Sequence, residues 1–145
     1  MDLQVRQWAI YLPYFKEAEF VCKCEKCQKE GKAYVHETLA DMLYMARTAA
    51  KIPFVILSGG RCYEHNKKIN GAENSDHLVR QNIVSSDNDP ANLCRAIDIR
   101  VQNDRERHQI LCALITAGFT RLGIAKGFIH AGVAVGKPGG VIWVY

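Results

Sequence analysis

From His36 to Ala50 the apolar residues Leu39, Met42, Leu43, Ala46 and Ala50 recur at the spacing of one face of an α-helix, and Pro53 ends the run. A core helix is expected there. Phe54-Val55-Ile56-Leu57 is a continuous apolar stretch bounded by Pro53 and by Ser58-Gly59-Gly60, which predicts a short buried strand running into a turn, with a short helix from Arg61 to Ile69 after it. Ala96 to Val101 predicts a second strand. Beyond it Ile110, Leu111, Leu114 and Ile115 share one face of a helix expected from Asp104, a natural N-cap, to Ala117, with Gly118 just past its end. Arg121 to Ala125, Phe128 to Ala134 and Val141 to Tyr145 read as three strands joined by glycine-rich turns, a meander of antiparallel pairs. The order of elements predicts an α+β architecture, an antiparallel sheet with flanking helices.

Composition narrows this picture. At 145 residues, with no repeat, low-complexity tract or linker, the chain is expected to form a single domain spanning 1–145 around one core. The formal net charge of +4 comes from cations interleaved with acids, as in Asp104-Arg105-Glu106-Arg107, and no basic and aromatic surface is visible, so nucleic-acid binding is not expected. No run approaches the roughly 18 apolar residues of a membrane span. The start, Met1-Asp2-Leu3-Gln4-Val5-Arg6, lacks the basic stretch and apolar core of a signal peptide. A soluble monomer that neither inserts into a membrane nor leaves by the usual export route is expected.

Six cysteines without a secretory signal read as reduced thiols or metal ligands rather than as a disulfide framework. Cys22, Cys24 and Cys27 form a C-x-C-x2-C cluster in a Lys/Glu-rich segment, a spacing able to wrap a structural metal if Cys62, His36 or another group closes the shell. The alternative is a set of ordinary, partly buried thiols.

A second polar set comes from three separate segments: Ser75-Asp76-His77, Ala96-Ile97-Asp98-Ile99 and Phe128-Ile129-His130. Taken singly, His77 is a loop histidine, Asp98 a strand-end carboxylate and His130 a hydrogen-bonded histidine within a sheet. Taken together they offer two imidazoles and one carboxylate, the three-ligand set of a catalytic zinc site that keeps one position open. Side-chain alternation turns Asp98 away from its two isoleucines and His130 away from Ile129, onto the face of Phe128 and Gly132, so both can line one open face.

The segments Ser58-Gly59-Gly60-Arg61-Cys62-x-x-His65-Asn66, Asn74-Ser75-Asp76-His77, Ala96-Ile97-Asp98-Ile99, Gly118-Phe119-x-Arg121-Leu122-Gly123-Ile124 and Phe128-Ile129-His130 occur in an order that resembles the zinc D-Ala-D-Ala carboxypeptidases of the VanX/VanY and Hedgehog-type group. The likeness runs from about Phe20 to Tyr145 and is strongest to small peptidase-like proteins of phages and bacteria that act on peptidoglycan. It implies a Hedgehog/DD-peptidase-like fold, Zn2+ as cofactor, and His77, Asp98 and His130 as its ligands. It also implies Arg61 as the cation that polarises the scissile carbonyl or steadies the oxyanion. Ser75 would hold the substrate or the His77 loop, His65 and Asn66 would order the turn, and His36 and His108 would be surface residues. The substrate implied is a peptidoglycan stem peptide. The place of action implied is the cytoplasm until release, or a virion.

Two departures from that group stand out. Its members usually place the aspartate seven residues after the first histidine, whereas here the step is 98 − 77 = 21, so a loop containing Ser85-Ser86-Asp87-Asn88-Asp89-Pro90 is expected as an insertion at the mouth of the site. Members also often read His-Val-Asp at the last ligand, with the aspartate facing the metal as general base; here the sequence is His130-Ala131-Gly132. Glu64, Asp76, Asp87 and Asp89 are the candidate replacements, and restoring an aspartate at 132 should raise turnover only if none of them serves. The leading expectation is a zinc peptidase cleaving D-Ala-containing stem peptides, as a carboxypeptidase or lytic endopeptidase. Its rivals are a catalytically impaired relative that binds cell wall or a partner through the same cleft, and a cysteine-rich zinc module serving as an interaction domain.

Overall fold

The computed structural model describes residues 4–79, 93–134 and 136–145. The greater part of the expected insertion, with Asp87 and Asp89, lies outside the described residues. Helix α1 (Glu25–Glu30) and helix α2 (Glu37–Ala50) precede strands β1 (Ile56–Ser58) and β2 (Arg61–Cys62). Helix α3 (Tyr63–Lys68), β3 (Leu78–Val79), β4 (Ala96–Arg100), α4 (Asp104–Thr116), β5 (Arg121–Ile124), β6 (Phe128–Gly132) and β7 (Val141–Val144) follow. No helix among the described residues is long and apolar enough to cross a membrane.

The main sheet has the order β1-β4-β6-β5-β7, and β2 pairs in parallel with β3 beside it. The pairs β1/β4, β4/β6 and β6/β5 are antiparallel as expected, but β7 lies parallel to β5, so the last three strands are not a meander of antiparallel pairs. The loop before β7 is therefore a crossover, running from the end of β6 past its neighbour to the far edge. The Phe54–Leu57 run is also corrected: Phe54 and Ile56 are buried whereas Val55 and Leu57 are exposed, the alternation of an edge strand covered on one face.

Helices α2 and α4 pack on each other behind the sheet. Leu39 and Leu43 of α2, Ile110 and Leu114 of α4, and Ile97, Ile99, Leu122 and Ile129 of the strands belong to one buried cluster. The strand period of two then turns Asp98, His130 and Gly132 to the opposite face, where the helices do not cover them.

Two helix starts differ from expectation. The N-cap of α4 is Asn103, whose Oδ1 accepts from the Glu106 N–H at 2.8 Å, with Asp104 as its first helical residue. His36 is not a surface residue: its ring is buried because Nδ1 caps α2, accepting from the Thr38 N–H at 3.1 Å. His108 is exposed as expected. Gly118, at φ +101°, sits just past α4 in a conformation that disfavours any side chain.

Candidate active site

Asp98 and His130 are direct cross-strand partners on β4 and β6, adjacent interior strands of the sheet. His77 comes from the segment entering β3 and is held beside the sheet by the short parallel ladder, where the Arg61 N–H donates to the His77 carbonyl at 2.7 Å. The three facing atoms form a nearly equilateral triangle. His77 Nε2 lies 3.2 Å from His130 Nδ1 and 3.3 Å from Asp98 Oδ1, and His130 Nδ1 lies 3.1 Å from Asp98 Oδ1.

The chemistry of this triangle selects its occupant. His77 Nδ1 lies 2.8 Å from the Gly59 carbonyl, which can only accept, so Nδ1 carries the proton and Nε2 presents a lone pair inward. Asp98 also presents only lone pairs while ionised. Burial acts to raise its carboxyl pKa, but the two imidazoles against it, His130 first, hold it well below the ordinary carboxylate range. Two acceptors and a second imidazole converging at these distances form a donor set able to hold a metal ion. Tetrahedral N and O ligands about 2.0–2.1 Å from zinc are about 3.3 Å apart, so the observed edges fit Zn2+. The Gly59 carbonyl is the outer partner that fixes the ring orientation of a ligating histidine.

The triangle lies at the floor of a cleft of about 380 Å³, also lined by Arg61, Ser75, Asp76, Arg121, Lys137, Phe128, Trp143 and Tyr145. Arg61 donates from Nη2 to Ser75 Oγ at 3.1 Å, and the same hydroxyl oxygen accepts from the His77 N–H at 3.3 Å. Ser75 thus ties the cation to the ligand loop. Arg61 Nε is buried and has no hydrogen-bond partner among the described residues. Asn66 orders the turn as expected, donating to the Ala72 carbonyl at 2.9 Å.

Asp76 stands where the sequence lacks a carboxylate. A Cβ on Gly132 would lie 3.3 Å from Asp76 Oδ2 and 3.4 Å from His130 Nε2, so the space an aspartate at 132 would enter is already occupied. Asp76 is held there by an ion pair with Lys137 and by Arg121 Nε at 3.7 Å. Glu64, on α3, does not line the cleft.

With the ligand order, the fold and the open coordination side in place, comparison with known sequences decides the family. The peptidase M15 family profile matches residues 13–132. The chain belongs to the peptidase M15 family. Its members are VanX/VanY-type zinc D-Ala-D-Ala carboxypeptidases, and the α+β sheet with flanking helices is the M15 fold. The protein is accordingly a zinc metallopeptidase of the D-Ala-D-Ala type, with a peptidoglycan-related substrate. No curated protein matches the chain closely enough to count as a relative.

Several residues of this M15 cleft escaped the sequence reading. Lys137 reaches it from the crossover before β7, and Trp143 and Tyr145 reach it from the parallel edge strand, positions invisible without that pairing. Gly123 lies between His130 and Trp143 in the ladder, and a Cβ there would come within 2.6 Å of the indole, so its missing side chain lets the two rings approach to 5.4 Å across β5. The period-two spacing of Trp143 and Tyr145 was the available signal.

Proposed function

We propose that the protein hydrolyses an amide bond next to D-Ala in the stem peptide of peptidoglycan, with His77, Asp98 and His130 holding the zinc ion. The observation that carries the reading is the triangle of inward-facing donors at the floor of a cleft whose walls carry Arg61, Arg121 and Lys137. Zinc in that position supplies the Lewis acidity that activates water and polarises a carbonyl.

The chain's own residues supply the rest. Asp98 and the His77 tautomer fixed by Gly59 keep the donor set charged and oriented before substrate arrives. Arg61, steadied by Ser75, directs a fixed positive charge toward the oxygen of the scissile carbonyl, where negative charge develops. Asp76, whose carboxylate lines the same cleft, accepts the proton of the attacking water and returns it to the departing amine. Phe128, Trp143 and Tyr145 give the cleft an apolar wall that packs along the peptide and excludes bulk water.

Gly132 on its own would favour a catalytically silent binding protein, but the carboxylate of Asp76 in the same space supports the enzyme. The test is a digest of purified muropeptides at defined zinc content, with products resolved by mass. Loss of terminal D-Ala, or cleavage inside the stem, is expected from zinc-loaded protein and not from Arg61→Ala. Zinc-loaded wild type that binds stem peptides without cutting them would replace the enzyme reading with the binding one.

A further inference from the structure

Four thiols that the hydrolytic centre does not use meet at one point. Cys22 precedes α1, Cys24 caps it, Cys27 lies within it, and Cys62 closes β2 and caps α3. The sulfurs of Cys22 and Cys24 each lie 3.8 Å from that of Cys62, and all four lie within 4.8 Å of one another. Sulfurs at tetrahedral vertices about 2.3 Å from zinc are about 3.8 Å apart.

Three of the four sulfurs accept backbone hydrogen bonds. Three backbone N–H groups point at sulfur, each at 3.4 Å: Cys27 to Cys24, Cys62 to Cys22, and His65 to Cys62. Such donors stabilise negative charge on sulfur and fix its direction. A void of about 10 Å³ borders Cys22, Cys27 and Cys62.

We propose that Cys22, Cys24, Cys27 and Cys62 bind a second zinc ion, structural because four protein ligands close its shell. Its effect reaches the cleft through short covalent and hydrogen-bonded links. Cys62 is bonded to Arg61. Two residues before Cys22, the Phe20 carbonyl accepts from the Gly60 N–H at 3.1 Å, and the neighbouring Gly59 carbonyl is the one that orients His77. A Cβ on Gly59 would come within 2.8 Å of Phe20 Cα, so the two segments are packed backbone to backbone. The ion clamps the N-terminal segment onto the strand that carries Arg61.

The test separates the two metals. Protein purified under reducing conditions should hold two zinc equivalents, and His77→Ala, checked for folding by circular dichroism, should hold one. Exchange of that remaining ion for Co2+ should give intense thiolate-to-cobalt charge-transfer absorption. Titration of its thiols with an organomercurial should release the ion into a chromogenic chelator. A folded His77→Ala protein without metal overturns the cysteine site and leaves the cleft intact, as does a cobalt form lacking the thiolate band. A wild type holding a single ion that survives His77→Ala upholds the cysteine site and overturns the cleft's.

Discussion

The exchange of a carboxylate between positions 76 and 132 makes a sharp demand on the proposed chemistry. Asp76→Asn keeps the shape of the side chain and removes its capacity to take a proton, so turnover should fall by about 10²–10⁴-fold, the usual worth of general-base assistance. Zinc content should not change. Gly132→Asp alone should also harm the enzyme. With a Cβ at 132 only 3.3 Å from Asp76 Oδ2, the second carboxylate falls within roughly 4–5 Å of the first. At an effective dielectric of about 20 that repulsion is about 3–4 kcal/mol, only partly offset by Lys137 and Arg121. The combination Asp76→Ser with Gly132→Asp empties the occupied space and refills it from the neighbouring strand, and should recover a large part of the loss. The assay is release of D-Ala from a D-Ala-D-Ala peptide at fixed metal loading, with kcat and KM separated. Turnover of Asp76→Asn within tenfold of wild type, or a gain from Gly132→Asp alone, would refute the assignment.

Three further outcomes follow from other parts of the molecule. Tyr34 is pushed up to about 12 by its hydrogen bond to Glu30 and by burial, and Tyr11 is raised by burial and by its bond to Asp41. Phenols with raised folded-state values stabilise the native state below their unfolded pKa of about 10 and lose that contribution as pH rises through the folded value, so denaturant midpoints should decline above about pH 10, less steeply in Tyr34→Phe. Gly123→Ala drives a methyl group into the Trp143 indole at 2.6 Å, which should cost about 1–3 kcal/mol and shift tryptophan emission while leaving metal binding in place. Ile97→Ala removes a fully buried side chain next to a ligand and should lower unfolding free energy by about 2–5 kcal/mol in a urea titration.

Periodicity made much of this fold legible. The three-and-four spacing of Leu39, Leu43 and Ala46 gave α2, and the alternation around Asp98 and His130 gave the strand face on which both lie, because each signal depends only on neighbours along the chain. The parallel placement of β7 was hidden because either direction buries the same residues, and the choice rests on a crossover with no local signature. His36 misled because an N-cap role depends on ring contacts that composition does not reveal. The substitution of Asp76 for a residue at 132 was a candidate among four, and only the approach of two segments far apart in sequence distinguishes it. Cys62 as the fourth thiol had the same character.

The chain is fastened to other segments on both sides of the stretch between Val79 and Leu93. On one side β3 is laddered to β2; on the other, the Cys94 N–H donates to the Tyr34 carbonyl at 2.7 Å and the Arg95 N–H to the Asp76 carbonyl at 2.9 Å. Donor spacing is inherited from those ladders, so the joint behaves as a socket into which segments of differing length and chemistry can be exchanged. Doubling such a segment adds only about 0.6 kcal/mol of closure entropy. Changes of length at this junction therefore leave the ladders at its two ends, and the ligands they carry, in place.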